Sequence, residues 1–150
     1  MDLEEEIKQK KFRNEHHKAV VNILYTSNWM SYSQLQFMKK YSITPQQYNI
    51  LRILRGQYPA AATVNLLIDR MLDKMSNASR LVEKLKTKEL VERKISQEDK
   101  RKVEVVITQK GLDLLERMEI EINTEEDGYK SSITEEEAKE LNRLLDKLRG

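Results

Sequence analysis

Cysteine is absent from this 150-residue chain. Disulfides, thiolate metal sites, cysteine nucleophiles and sensing by thiol oxidation are therefore excluded, and a reducing compartment, the cytoplasm, is expected. Proline occurs twice and glycine four times, too little turn material for an all-β fold. The only histidines are His16 and His17. They are neighbours on a helical stretch, so their side chains point about 100° apart. The i, i+4 positions that would complete a helical metal pair hold Phe12, Arg13, Val20 and Val21. Neither a metal site nor a catalytic dyad is predicted, and no cofactor is expected. A Gly-rich phosphate loop and a G-x-S-x-G nucleophile turn are also missing, so the chain is not expected to be an enzyme. No apolar run approaches the about 20 residues needed to cross a membrane. The start, Met1-Asp2-Leu3-Glu4-Glu5-Glu6, is acidic where a secretory leader is basic.

What is present is charge and helix-forming material. Charged residues make up 35% and hydrophobic residues 39% of the chain, enough apolar side chains for one core. The net charge of +2 hides an asymmetry. Residues 1–69 carry 9 basic and 6 acidic side chains, residues 70–111 carry 12 and 7, and residues 112–150 carry 6 and 12. A basic middle ahead of an acidic tail suits a surface for a polyanion, or simply a solvated charged face.

Helical spacing runs from about Leu3 to Tyr41. The run is long for one helix, and a break is expected near Asn28–Ser33. Thr44-Pro45-Gln46-Gln47 reads as a capping box with proline in the first turn, and Gly56 is expected to stop that helix. Thr63 caps a short helix, Val64 to Leu72, with Leu67, Ile68, Met71 and Leu72 inward. After the polar interruption Asp73-Lys74, a further helix, ending near Lys88, places Met75, Ala78, Leu81, Val82 and Leu85 on one stripe. Two short helices joined by a tight turn form a helix-turn-helix pattern.

The period then changes to two. Residues 90–95 and 103–107 predict two strands joined by the polar loop 96–102. Thr108 caps the next helix, which carries Leu112, Leu115, Met118 and Ile122 inward and is expected to break at Glu125-Glu126-Asp127-Gly128. Thr134-Glu135-Glu136-Glu137 opens a last helix with Leu141, Leu144, Leu145 and Leu148 on one stripe.

A helix-turn-helix followed by a hairpin with Lys100, Arg101 and Lys102 at its tip is a winged helix-turn-helix pattern. A helix fits the major groove and its N-terminal residues reach base edges, while an arginine on a wing suits the minor groove. On a wheel of residues 73–88, Ser76, Arg80, Glu83 and Thr87 lie opposite the apolar stripe. Glu83 would be repelled by phosphate, so it is expected beyond the part that enters the groove or paired with Arg80 or Lys86.

These stretches resemble the multiple antibiotic resistance regulator (MarR) family of bacterial transcription factors. The resemblance is carried by Ser76-Asn77-Ala78-Ser79-Arg80-Leu81-Val82-Glu83-Lys84-Leu85, by Leu90-Val91-Glu92-Arg93, and by Asp99-Lys100-Arg101-Lys102 running into Ile107-Thr108-Gln109-Lys110-Gly111. It spans about Thr44 to Leu115. It implies that Asp99 orients Arg101 towards the minor groove and that Ser76, Asn77, Ser79 and Arg80 belong to the recognition helix. It also implies a small aromatic or phenolic effector, for which Tyr25, Trp29, Tyr48 and Arg52 are the candidate pocket residues. One position departs from the family pattern: Glu89 stands where a glycine usually closes the recognition helix.

The expectation is thus a mainly α (α+β) chain of one domain, 1–150. Residues 44–110 would form a winged helix-turn-helix with a two-stranded wing. Residues 1–41 and 111–150 would form a helical dimerisation part, because their apolar stripes lack an obvious partner within the domain. The predicted function is a cytoplasmic, homodimeric, sequence-specific regulator of transcription, a repressor, on a pseudo-palindromic duplex. The candidate DNA contacts are Thr63, Ser76, Asn77, Ser79, Arg80, Lys84, Lys86, Asp99, Lys100, Arg101 and Lys102. Sequence-independent architectural DNA binding and a structural helical interaction module remain as alternatives.

Overall fold

A computed structural model describes residues 2–123 and 130–150. The N-terminal stretch is two helices. α1 (Leu3–Glu6) ends before Lys8, whose φ is 53°, and Asn14 then caps α2 (Glu15–Lys39) by accepting the His17 N–H at 2.9 Å. The break expected near Asn28–Ser33 therefore lies at residues 7–14, and α2 passes uninterrupted through a segment that holds neither proline nor glycine. Leu3 is buried, Glu4 pairs with Lys18, and Tyr25 donates to Glu6 at 2.7 Å, so α1 lies back along α2.

α3 (Pro45–Gln57) opens with the expected capping box, Thr44 and Gln47 each bonding the other's backbone N–H. Gly56 does not end it. The helix stops after Gln57, where Tyr58 turns extended (ψ 135°) ahead of Pro59. Thr63 caps α4 (Val64–Arg70), accepting the Leu66 N–H at 3.2 Å. Leu67 and Met71 are buried, but Ile68, inside α4, and Leu72, past its end at Arg70, are exposed rather than inward.

α5 (Ala78–Thr87) begins later than expected and leaves Met75 outside it. Asp73 takes up the Met75 N–H at 3.0 Å and the Ser76 hydroxyl at 2.9 Å, which makes residues 73–76 a side-chain-bonded turn, and Asn77 is the cap. Ala78, Val82 and Leu85 form the buried stripe; Met75 is outside the helix and exposed. At the other end the Leu90 N–H reaches the Leu85 carbonyl (3.0 Å) and the Glu89 N–H the Lys86 carbonyl (2.8 Å). This is the double bond pattern that closes helices through a left-handed residue, and Glu89 is that residue, with φ 60°.

β2 (Val91–Ile95) and β3 (Val103–Ile107) pair antiparallel, Val91 opposite Ile107 and Ile95 opposite Val103. A third strand, β1 (Ala62–Thr63), joins the other edge of β3, so the sheet order is β1-β3-β2 rather than a two-stranded wing alone. Thr108 accepts the Gly111 N–H at 3.1 Å at the start of α6 (Gln109–Ser132) and donates to the Glu89 carbonyl at 2.7 Å. Gly111 is required: a Cβ there would sit 2.5 Å from the Leu90 carbonyl oxygen and 2.6 Å from Ile107. The break expected at residues 125–128 lies outside the described residues. α7 (Glu135–Arg149) starts on the expected Thr134–Glu137 capping box.

The core lies where α3, α4, α5, the sheet and the first half of α6 meet, with Ile50, Leu51, Leu54, Leu67, Leu85, Leu115 and Met118 at its centre. The end of α2 is braced to α6 by Lys40 and Tyr41 on Glu121, and α3 by Arg55 on Glu119. Outside that core the apolar stripes are uncovered. Val20, Leu24, Trp29 and Leu35 of α2 and Leu141, Leu144 and Leu148 of α7 are exposed, and α7 buries none of its residues.

Candidate nucleic-acid interface

The sequence places cations on α5 and on the hairpin, and the fold brings the two together. An open groove of about 390 Å³ runs between them. One wall is Thr63, Val64 and Asn65 at the start of α4, the floor is Ser79 and Val82 of α5, and the other wall is Arg93, Arg101, Lys102 and Val103. Four of the predicted contacts, Thr63, Ser79, Arg101 and Lys102, therefore share one groove. Of the five lining residues outside the predicted set, two are polar, Asn65 and Arg93. The signal for Arg93 was present: the period of two along β2 puts it on the same face as buried Val91.

The wing tip is built around Asp99. Its carboxylate accepts the Arg101 backbone N–H at 3.0 Å and the Arg101 Nε at 3.3 Å. Those two bonds, the backbone one first, hold the Asp99 carboxyl below the ordinary carboxylate range. At the root of the loop the Ser96 N–H donates to the Lys102 carbonyl (2.9 Å) and the Lys102 N–H to the Asp99 carbonyl (2.8 Å). The turn is closed, and the Arg101 side chain projects from it with 92% of its surface exposed. Asp99 thus orients the guanidinium and leaves its outer N–H groups free.

α5 presents Ser79, Arg80, Lys84 and Lys86 to solvent. Among the described residues no carboxylate pairs with Arg80, Lys84, Lys86, Lys100 or Lys102. Glu83 pairs with Arg93 of β2, not with Arg80 or Lys86. This fastens the helix to the wing across the groove and removes the one carboxylate of that helix from the free charge of the face. Ser76 and Asn77 are not part of the helical face: Ser76 donates to Asp73, and the Asn77 carbonyl oxygen is the N-cap acceptor for the Arg80 N–H at 3.0 Å. Lys86 borders a second, shallower depression with Glu92, Arg93 and Lys94.

The four residues considered for an effector pocket are placed on two helices. Tyr48 and Arg52 meet on α3, Arg52 Nη1 donating to the Tyr48 hydroxyl at 3.1 Å with the guanidinium 5.9 Å from the ring. On α2, Tyr25 is bonded to Glu6, and Trp29 is half exposed. Among the described residues no group of histidine, aspartate and glutamate side chains is arranged to hold a metal ion, and no helix is long and apolar enough to cross a membrane.

A helix-turn-helix, a three-stranded sheet and a cationic hairpin placed beside the second helix define a winged-helix protein. Residues 41–102 match the model of the MarR family. The HTH-type transcriptional regulator MgrA of Staphylococcus aureus is 29% identical over 117 residues, 78% of this chain and 77% of that protein. A MarR-like transcription regulator from Bacillus cereus superposes with a TM-score of 0.78 at 19% identity, covering 90% of this chain and 96% of that one. The S. aureus MepR–DNA complex gives a TM-score of 0.77 at 22% identity over 92% of this chain and 97% of MepR. The central part of the chain is thus similar to the MarR family, and most of the chain shares its fold with solved MarR-like regulators.

Proposed function

We propose that this protein is a homodimeric, cytoplasmic, sequence-specific DNA-binding repressor of transcription. The observation that carries the reading is the groove between α5 and the wing, with Arg101 held out at the tip by Asp99. α5 enters the major groove of a duplex with Ser79 and Arg80 at base edges and Lys84 and Lys86 on phosphates. Thr63, at the groove wall, meets the backbone, and Arg101 enters the minor groove. Residues 44–110 are the DNA-binding part. The exposed stripes of residues 1–41 and 111–150 cover each other across a two-fold axis, which sets two reading helices about one helical turn apart on a pseudo-palindromic site. A small aromatic or phenolic effector bound near Tyr25, Trp29, Tyr48 and Arg52 releases the DNA.

Arg101 and Lys100 separate this reading from a mere basic patch. Arginine at a narrow A·T minor groove carries sequence preference, whereas a lysine on phosphate acts as a point charge. Arg101→Ala is expected to weaken specific binding by about 1–3 kcal/mol and to relax preference at flanking A·T positions. Lys100→Ala is expected to weaken all duplexes alike and to reduce the salt slope by about one phosphate contact. Titrations on a selected site and on random duplex at several salt concentrations measure both. If the two variants behave identically, the wing carries charge but no specificity. Light scattering tests the dimer, and Trp29 fluorescence with release of DNA tests the aromatic effector.

A further inference from the structure

Among the described residues, the turn between α4 and α5 carries the two most exposed large apolar side chains, Leu72 at 88% and Met75 at 94%. A single exposed apolar residue is ordinary, but this turn is fixed. The Leu72 N–H donates to Asn49 Oδ1 of α3 at 2.9 Å. Asp73 holds Met75 by its N–H and Ser76 by its hydroxyl, and also accepts from Gln46 of α3 at 3.4 Å. Lys74 Nζ closes on the carbonyls of Ile68 (3.2 Å) and Asp69 at the end of α4. Met75 is therefore held outward, two residues before the N-cap of the helix that would enter the groove.

The polar side chains beside it each make a bond within the turn or the helix cap. The Ser76 hydroxyl proton goes to Asp73, and the Asn77 carbonyl oxygen accepts from Arg80. At the mouth of α5 the exposed apolar group is the flexible, polarisable thioether of Met75. In the major groove the one apolar feature of a base edge is the C5-methyl of thymine. Unpaired Arg80, one turn along the helix, supplies the charge that draws this mouth onto a duplex.

We propose that Met75 is a specificity-determining residue whose side chain packs on a thymine C5-methyl in each half-site. This rests on the DNA-binding function proposed above. Burying about one methyl group corresponds to about fourfold in affinity. A site is first selected from random duplexes with the wild-type protein. Each of its thymines is then replaced by deoxyuridine, which removes the methyl and nothing else, and both wild type and Met75→Ala are titrated. One thymine position per half-site is expected to cost the wild type about fourfold on replacement and to cost Met75→Ala nothing further. Thermal unfolding of Met75→Ala should match the wild type, because the side chain is exposed. If a site is selected but every methyl matters equally to both proteins, or none matters, Met75 does not read thymine and the proposal falls while DNA binding stands; the apolar turn is then free for a protein partner. If the wild type selects no site, specific DNA binding and this proposal fall together.

Discussion

Leu51 and Leu144 occupy equivalent places in their own helices, each on the apolar stripe of an amphipathic segment, yet Leu51 is 0% exposed and Leu144 49%. The contrast extends to their surroundings. Between Phe37 and Met118 the chain closes a core of its own, whereas the middle of α2 and all of α7 leave their stripes open. An apolar stripe states only that a surface is to be covered. It does not say whether the cover is the same chain. The winged-helix half finds its cover locally, through contacts among α3, α4, α5 and the sheet. The terminal helices do not, and this is the physical ground for proposing a second copy.

The largest effects come from attacking that difference directly. Leu51→Ala should lower stability by about 2–5 kcal/mol, since it opens a cavity in a closed core, and the loss should not depend on protein concentration. Leu144→Ala should show its effect through association: the unfolding midpoint falls further as the protein is diluted, and light scattering detects monomer sooner. Urea unfolding at two concentrations measures both. Equal, concentration-independent losses would mean that α7 packs within its own chain.

The glycines make the same comparison on a smaller scale. Gly111 sits against the Leu90 carbonyl and Ile107, so Gly111→Ala should destabilise by about 1–3 kcal/mol through overpacking. Gly56 lies inside α3 with nothing within 4 Å of where a Cβ would go. Gly56→Ala should therefore stabilise by about 0.5–1 kcal/mol, by improving helix propensity. Calorimetric midpoints moving in opposite directions would support both assignments.

The sequence was most legible where a side chain bonds its own neighbourhood. Thr44, Thr63, Thr108 and Thr134 announce four helix starts, and the switch to a period of two announces the wing. Legibility failed where distant contacts decide. β1 is two residues long and exists because Ala62 and Thr63 pair with Val105 and Glu104; two residues carry no periodicity. Met75 fits the helical stripe by spacing, but the Asp73 turn takes its N–H and holds it outside the helix. Gly56 looked like a stop because glycine is a weak helix former, yet Pro59 was the stronger signal. Within the candidate site, the Asp99–Arg101 pair was readable from local spacing. The Glu83–Arg93 link was not, because it joins two elements whose approach depends on the whole fold.

The closed half also carries a local cost at the junction of α5 and the wing. Glu89 closes α5 with φ 60°, a conformation that costs a non-glycine residue about 1–2 kcal/mol. Its bonds there are good: its N–H reaches the Lys86 carbonyl, and its carbonyl accepts from Thr108. Its side chain also meets Lys110 at 3.1 Å on an exposed surface, worth at most about 1 kcal/mol. Glu89→Gly would relieve the backbone strain and keep both backbone bonds. It would lose the ion pair and give the unfolded chain more freedom, a cost of about 0.5–1 kcal/mol. The net expectation is a small gain, of about 0.5 kcal/mol or about 1–2 °C in Tm. In a Lys110→Ala background the ion pair is already absent, so Glu89→Gly should gain more there than in the wild type. Calorimetry on the four proteins of that cycle measures the difference. A lower midpoint for Glu89→Gly in both backgrounds would show that the closure of α5 is not strained, and that glutamate is as well suited to this junction as glycine.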